Sequence, residues 1–168
     1  MSNWTNESLL EHLTILFGDK ISTSEVHYDL LVIEMNSSDV HAAIKQLKSD
    51  DKLKMSFLTL LGATHFPDRE GREIRVSYHL HSLVHNVRLR INAHLPISNP
   101  SIPTITDIYV GANWLERETY DFFGVIFEGH PNLTRILNED SMDYFPMRKE
   151  YHLEDATRED KDDRYFGR

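Results

Sequence analysis

Cysteine is absent from all 168 residues. That excludes a disulfide framework, a thiolate zinc site, a Cys-ligated iron–sulfur cluster and a cysteine nucleophile. Long apolar runs are absent too, since no stretch approaches the ~18 consecutive apolar residues of a membrane span. Basic charge is scarce, with 18 Lys+Arg against 27 Asp+Glu and a formal net charge of −9. A general nucleic-acid binder needs clustered positive charge, so no nucleic-acid partner is expected. Glycine is thin, and no Gly-rich phosphate loop or internal repeat occurs. Residues 1–7 carry no basic segment leading into an apolar core, and no signal peptide is expected. What is present is a 40% hydrophobic chain of single-domain length.

The apolar residues are patterned. Leu9, Leu13, Leu16 and Phe17 recur at helical spacing after a cap at Thr5 or Asn6, predicting a helix over 7–17 that Gly18 stops. Residues 21–35 contain the run Tyr28-Asp29-Leu30-Leu31-Val32-Ile33, read as a central strand covered on both faces. Ser37-Ser38-Asp39 offers caps for a helix bearing Val40, Ala43, Ile44 and Leu47. A second strand with two apolar faces is expected over 55–66, then a loop from Pro67 to Arg72.

The clearest pattern follows. Ile74, Val76, Tyr78 and Leu80 alternate with polar residues, and so do Val87, Leu89, Ile91, Ala93 and Leu95. Pairing Leu80 with Val87 makes a hairpin with both apolar sets on one face and a loop at 82–85. Pro96, Pro100 and Pro103 argue against regular structure in the next stretch. Asn113-Trp114-Leu115-Glu116 has the shape of a capping box, placing a helix over 114–123 that ends at Gly124. Trp114, Phe122 and Phe127 are expected to seat that helix on the sheet. The whole reads as an α+β fold of two layers, a mixed sheet with helices packed on one face and an extended C-terminal tail. The domain spans 1–143 and the charged tail 144–168. Ten of the last 15 residues are charged, six acidic and four basic, so this segment is expected to be ordered mainly by a partner.

Candidate chemistry is sparse. His79, His81, His85 and His94 could form a metal site, but Arg75, Arg88 and Arg90 share their strands and no carboxylate does. The plainer reading is a partner-facing basic stripe on an acidic protein. Glu118 and Asp121 stand three apart and could work as an acid/base pair, but Arg117 can neutralise Asp121 at i, i+4 and Glu116 can complement the helix N-terminus. No nucleophile elbow occurs. The residues alone describe one component of an assembly better than a free enzyme.

The stretch Glu116-Arg117-Glu118, Asp121, Gly124, Gly129-His130-Pro131 and Arg135-Ile136-Leu137 closely resembles the signature of the 30-kDa subunit family of respiratory complex I, NADH:quinone oxidoreductase. Pro146-Met147-Arg148-Lys149 resembles the family's later Pro-Leu-Arg-Lys segment. The resemblance is clear over 82–153 and collinear upstream. It departs at Thr134, where many members have a basic residue, and before Pro146, where Tyr144-Phe145 replaces a usual glycine. It implies a non-catalytic subunit of the hydrophilic arm, on the cytoplasmic side of the membrane and peripheral to it. No cofactor is implied for this chain, while FMN and iron–sulfur clusters are implied for partner subunits. The implied neighbours are the quinone-pocket subunit and the terminal-cluster subunit. These signature residues, with Arg148 and Lys149, are then expected at subunit interfaces. The alternatives are the equivalent subunit of a membrane-bound hydrogenase or of a ferredoxin- or deazaflavin-driven quinone reductase, and a stand-alone metal-dependent enzyme.

Overall fold

Helix α1 (Asn6–Phe17) begins at a reciprocal cap. Thr5 Oγ1 accepts the Ser8 amide at 3.2 Å, and the Thr5 amide donates to Ser8 Oγ at 3.0 Å. Leu9, Leu13 and Phe17 are its buried stripe. The computed structural model describes residues 4–151, and the sequence expectations for 152–168 lie outside the described residues.

The run 21–35 is not one strand. β1 (Ile21–His27) and β2 (Leu30–Met35) form an antiparallel hairpin. Tyr28 and Asp29 turn between them with φ of 47° and 67°. Two successive left-handed residues match the right-handed twist of the flanking strands, which is why the hairpin tolerates them without glycine. Leu31, Val32 and Ile33 are buried, as expected of a covered strand, whereas β1 is almost wholly exposed.

Helix α2 (Ser37–Ser49) buries Val40, Ala43, Ile44 and Leu47. Its first serines lie inside the helix, and Asn36 precedes it without a side-chain cap. β3 (Phe57–His65) is a sheet edge with one covered face, and Phe57 and Leu60 are half exposed. β4 (Ile74–Ser82) and β5 (Val87–Leu95) alternate as their sequence predicts, but the register differs by two residues. Leu80 pairs with Leu89 and Ser82 with Val87. Asn86, at φ 51°, and Ser82 Oγ, which accepts the His85 amide at 3.3 Å, place the loop at 83–86. A slip of two keeps every side chain on its face.

The proline-rich crossover does contain regular structure. β6 (Ser101–Pro103) runs parallel to β7 (Ile126–Glu128), with Pro103 as the last residue of a short edge strand. Helix α3 (Ala112–Phe123) starts two residues before the expected position, with Gly111 rather than Asn113 at its N-cap and no side-chain cap. It ends as expected at Gly124, which is left-handed at φ 74°.

The five-stranded sheet has order β1-β2-β5-β4-β3, with β2 and β5 parallel and the other pairs antiparallel. Val76, Tyr78, Leu80, Leu89 and Ile91 join Leu13, Val40, Ile44, Leu47 and Ala112 in one buried cluster. The fold is therefore the expected mixed α+β arrangement, with three α-helices and a five-stranded mixed sheet among the described residues.

Candidate functional site

The signature residues converge on α3 and the loop that follows β7. α3 buries Ala112, Glu116 and Thr119, a stripe at helical spacing. Trp114 stands roughly half a turn away from that stripe and is 55% exposed, so it does not seat the helix. Phe127, from β7, is buried as expected.

Glu116 is not a helix-end residue. Its side chain has no solvent contact. Oε1 accepts the Ile105 amide at 2.8 Å and Oε2 accepts the Thr104 hydroxyl at 2.5 Å. Burial pushes its pKa up to about 7, against the opposing pull of those two hydrogen bonds. Glu116 thus pins the crossover before α3 to the helix. The hydroxyl of Tyr78, also wholly buried, lies in the field of Glu116, and burial and that charge hold its pKa far above normal.

Asp121 is equally buried and moves the other way. Burial raises its proton affinity, but the surrounding donors outweigh it and hold the carboxyl far below the usual range. Oδ2 accepts the amides of Ile136, Leu137 and Asn138 at 3.1, 2.8 and 2.9 Å. Oδ1 accepts Arg135 Nη1 at 2.7 Å and Asn138 Nδ2 at 3.0 Å. Arg135 continues outward to the carbonyls of Met142 and Tyr144, at 2.8 and 2.9 Å.

The expected Arg117–Asp121 pair is replaced. Arg117 donates instead to the carbonyls of Thr134 and Arg135, at 3.2 and 3.1 Å. His130 Nδ1 accepts the Asn132 amide at 3.0 Å, leaving Nε2 to donate to the Asn113 carbonyl at 3.2 Å. Gly129 turns the chain at φ 82°, and Pro131 is exposed beside it.

Residues 144–151 return to the domain. The Met147 amide donates to Phe122 O at 3.2 Å, and Arg148 Nε to Phe123 O at 2.8 Å. The Lys149 amide donates to the buried His65 Nδ1 at 2.9 Å. A Cβ on Gly124 would stand 2.5 Å from Phe145 Cε2 and 2.6 Å from Arg148 Nη2. Glycine is required there twice, by its φ and by this approach.

Every charged signature side chain on α3 except Glu118 is therefore turned to an internal partner, and Glu118 alone faces outward. Thr104, Thr134 and Asn138 complete the network. In the sequence Thr134 stands out only as a departure from the family pattern, Asn138 directly follows the motif, and Thr104, twelve residues before Glu116, carries no local signal. The arrangement holds backbone in place, because both oxygens of each buried carboxylate accept hydrogen bonds from the surrounding chain.

The hairpin histidines do not converge. Arg90 Nε donates to His79 Nε2 at 3.0 Å, His81 meets Asn86 at 3.2 Å, and His94 meets Glu34 at 3.2 Å. Among the described residues no three His, Asp or Glu side chains are grouped to hold a metal. No helix among them is long and apolar enough to cross a membrane.

Comparison with known proteins bears on this network. The family described as "Respiratory-chain NADH dehydrogenase, 30 Kd subunit" matches residues 33–157. The NADH-quinone oxidoreductase C subunit of Nocardioides sp. is 40% identical over 128 residues, 76% of this chain and 51% of that protein. Its counterpart of the same name in Mycobacterium tuberculosis is 38% identical over 144 residues, 86% of this chain and 61% of that protein. The chain thus spans between half and two thirds of the curated relatives it matches. Among solved structures, a trypsin-resistant fragment (1–134) of Nqo5 aligns with TM-score 0.65 and 28% identity, covering 76% of this chain and 98% of the fragment. A chain of an archaeal membrane-bound sulfane sulfur reductase aligns with TM-score 0.74 at 22% identity, covering 88% of this chain and 85% of that one, a likeness of fold.

Proposed function

This chain belongs to the 30-kDa subunit family of respiratory-chain NADH dehydrogenase, and from that premise we propose that it is a positioning subunit of a proton-translocating NADH:quinone oxidoreductase. In this reading it sits in the hydrophilic arm, peripheral to the cytoplasmic side of the membrane. FMN and the iron–sulfur clusters belong to partner subunits, and its neighbours are the quinone-pocket and terminal-cluster subunits. It contributes no bond-making step.

The observation that carries the reading is the inward commitment of the signature. Glu116, Arg117, Asp121, His130, Arg135 and Arg148 are engaged in internal hydrogen bonds that lock α3 to the crossover before it and to the segments after it. A catalytic carboxylate needs a free face toward its substrate, whereas a scaffold needs its polar groups satisfied. Electron transfer and quinone binding depend on placement, and a rigid surface supplies it. Glu118, Trp114 and Lys149 remain outward for contact with neighbours.

The test is deletion of the gene in its own host. Membranes should lose NADH-driven quinone reduction, while NADH oxidation by an artificial acceptor persists in the detached NADH-oxidising subunits. Complementation with the intact gene should restore quinone reduction. Full NADH:quinone activity in the deletion strain would overturn the proposal.

A further inference from the structure

The sheet face turned away from the core carries the unusual charge of this molecule. Register sets His81 beside Arg88, His79 beside Arg90 and Arg75 beside His94. The loop after β3 covers one end, where Arg72 reaches Glu34 at 2.9 Å. Beyond it an open groove of about 1100 Å³ is lined by Arg75, Arg88 and Arg90, with His27, Tyr28 and Trp4 among its other walls.

Three arginines in one groove normally recruit carboxylates from their own chain. Here, among the described residues, none of the three has an ion-pair partner. Arg75 Nε is buried and lacks any hydrogen-bond partner. Its guanidinium lies over the Phe66 ring at 4.9 Å, and burial together with Arg90 and Arg69 weakens its hold on its proton, against the smaller opposing pull of Glu34. The acids lining the groove are Glu7 and Asp29, and Asp29 is already bonded to Asn6 at 2.9 Å. Tyr28 is fully exposed at the rim, an aromatic surface ready for contact. On a chain of net charge −9, a local cluster of unneutralised arginines marks a place where anionic groups are expected from outside. Arginine forks match carboxylates in pairs, and the exposed aromatic adds an apolar contact that a free small anion would not use.

We propose that this groove receives an extended acidic segment of a neighbouring subunit, its carboxylates meeting Arg88, Arg90 and Arg75 and an apolar side chain lying against Tyr28. The proposal rests on the subunit reading above and deepens it by naming the chemistry of one contact.

The experiment uses the full chain in its native complex, with a photoreactive benzophenone side chain in place of Tyr28. After irradiation the complex is purified and the cross-linked peptide sequenced. The expected product is a partner-subunit peptide bearing at least two Asp or Glu residues. Arg88→Glu combined with Arg90→Glu should then lower incorporation of the chain at least about tenfold. Arg88→Lys combined with Arg90→Lys keeps the charge and loses the forks, so it should lower incorporation by less than the charge reversal does. Changing the captured acids to lysine should rescue the Arg88→Glu, Arg90→Glu chain. Thermal melts of each variant separate lost contact from lost folding. Cross-links to lipid, nucleic acid, a peptide without carboxylates, or nothing would overturn the proposal. So would failure of the charge-swapped pair to recover. If the unmodified chain purifies without partners, the subunit reading itself fails, and the two failures are distinguishable.

Discussion

Glu116 and Asp121 stand five residues apart on one helix, both closed to solvent, and their proton affinities move in opposite directions. Burial dominates at Glu116, whereas at Asp121 five side-chain and backbone donors outweigh it. The folded chain holds the Glu116 proton more tightly than the unfolded chain, for which the ordinary value is 4.5. That stabilisation is complete below about pH 4.5 and is lost as pH rises through about 7. Its full size is roughly 3 kcal/mol as an upper figure. Urea unfolding at pH 5 and pH 8 should show the difference. Glu116→Gln keeps an oxygen for the Ile105 amide and removes the titration, so its stability should vary less with pH and exceed the parent's at pH 8. Equal pH dependence in both proteins would rule out titration of Glu116 as the cause. Asp121→Ala strands Arg135 and three backbone amides, and should cost about 3–5 kcal/mol in the same assay. These roles were illegible in the sequence. Asp121 and Arg135 are fourteen residues apart and meet only because the chain turns at Gly129, and rules of local spacing gave Asp121 to Arg117 instead.

At the scale of elements, Gly124 is the point where α3, Phe145 and Arg148 meet. Gly124→Ala should cost about 2 kcal/mol or more, from its left-handed φ and from displaced side chains. Hydrogen exchange should quicken at the amides of Met147 and Lys149 before it quickens in β4 and β5. Trp114→Ala should cost under about 1 kcal/mol, because the indole is half exposed. Glu118→Gln should leave the melting temperature unchanged. Both substitutions should instead weaken incorporation into the complex, which a pull-down on the variant chains measures. The hairpin of β4 and β5 was legible because its alternation is unbroken, and a register error of two left its faces intact. The turn at Tyr28-Asp29 was hidden because tyrosine is an unusual left-handed residue and no glycine marks the turn. The start of α3 was hidden because Asn113 looks like a cap, although the chain had already begun to coil at Gly111. The two-faced reading of β3 failed because only one of its faces is covered, which leaves Phe57 and Leu60 half exposed, and apolar residues on both sides of a strand cannot reveal that.

Over its described residues the molecule is a five-stranded sheet with helices joined to its apolar side, a second sheet of two short strands, and an arginine-lined groove on an acidic chain. Most charged residues of its family signature make internal hydrogen bonds, while Glu118, Lys149, Trp114 and that groove face outward. Such a division suits a part that holds others in place. That role is tested by purifying the full chain, tagged at one end, from detergent-solubilised membranes of its own host. The chain should elute in one large assembly with FMN- and iron–sulfur-containing subunits, and that assembly should reduce quinone with NADH. Elution as a free chain, with the NADH:quinone activity in other fractions, would show that it positions nothing in the enzyme.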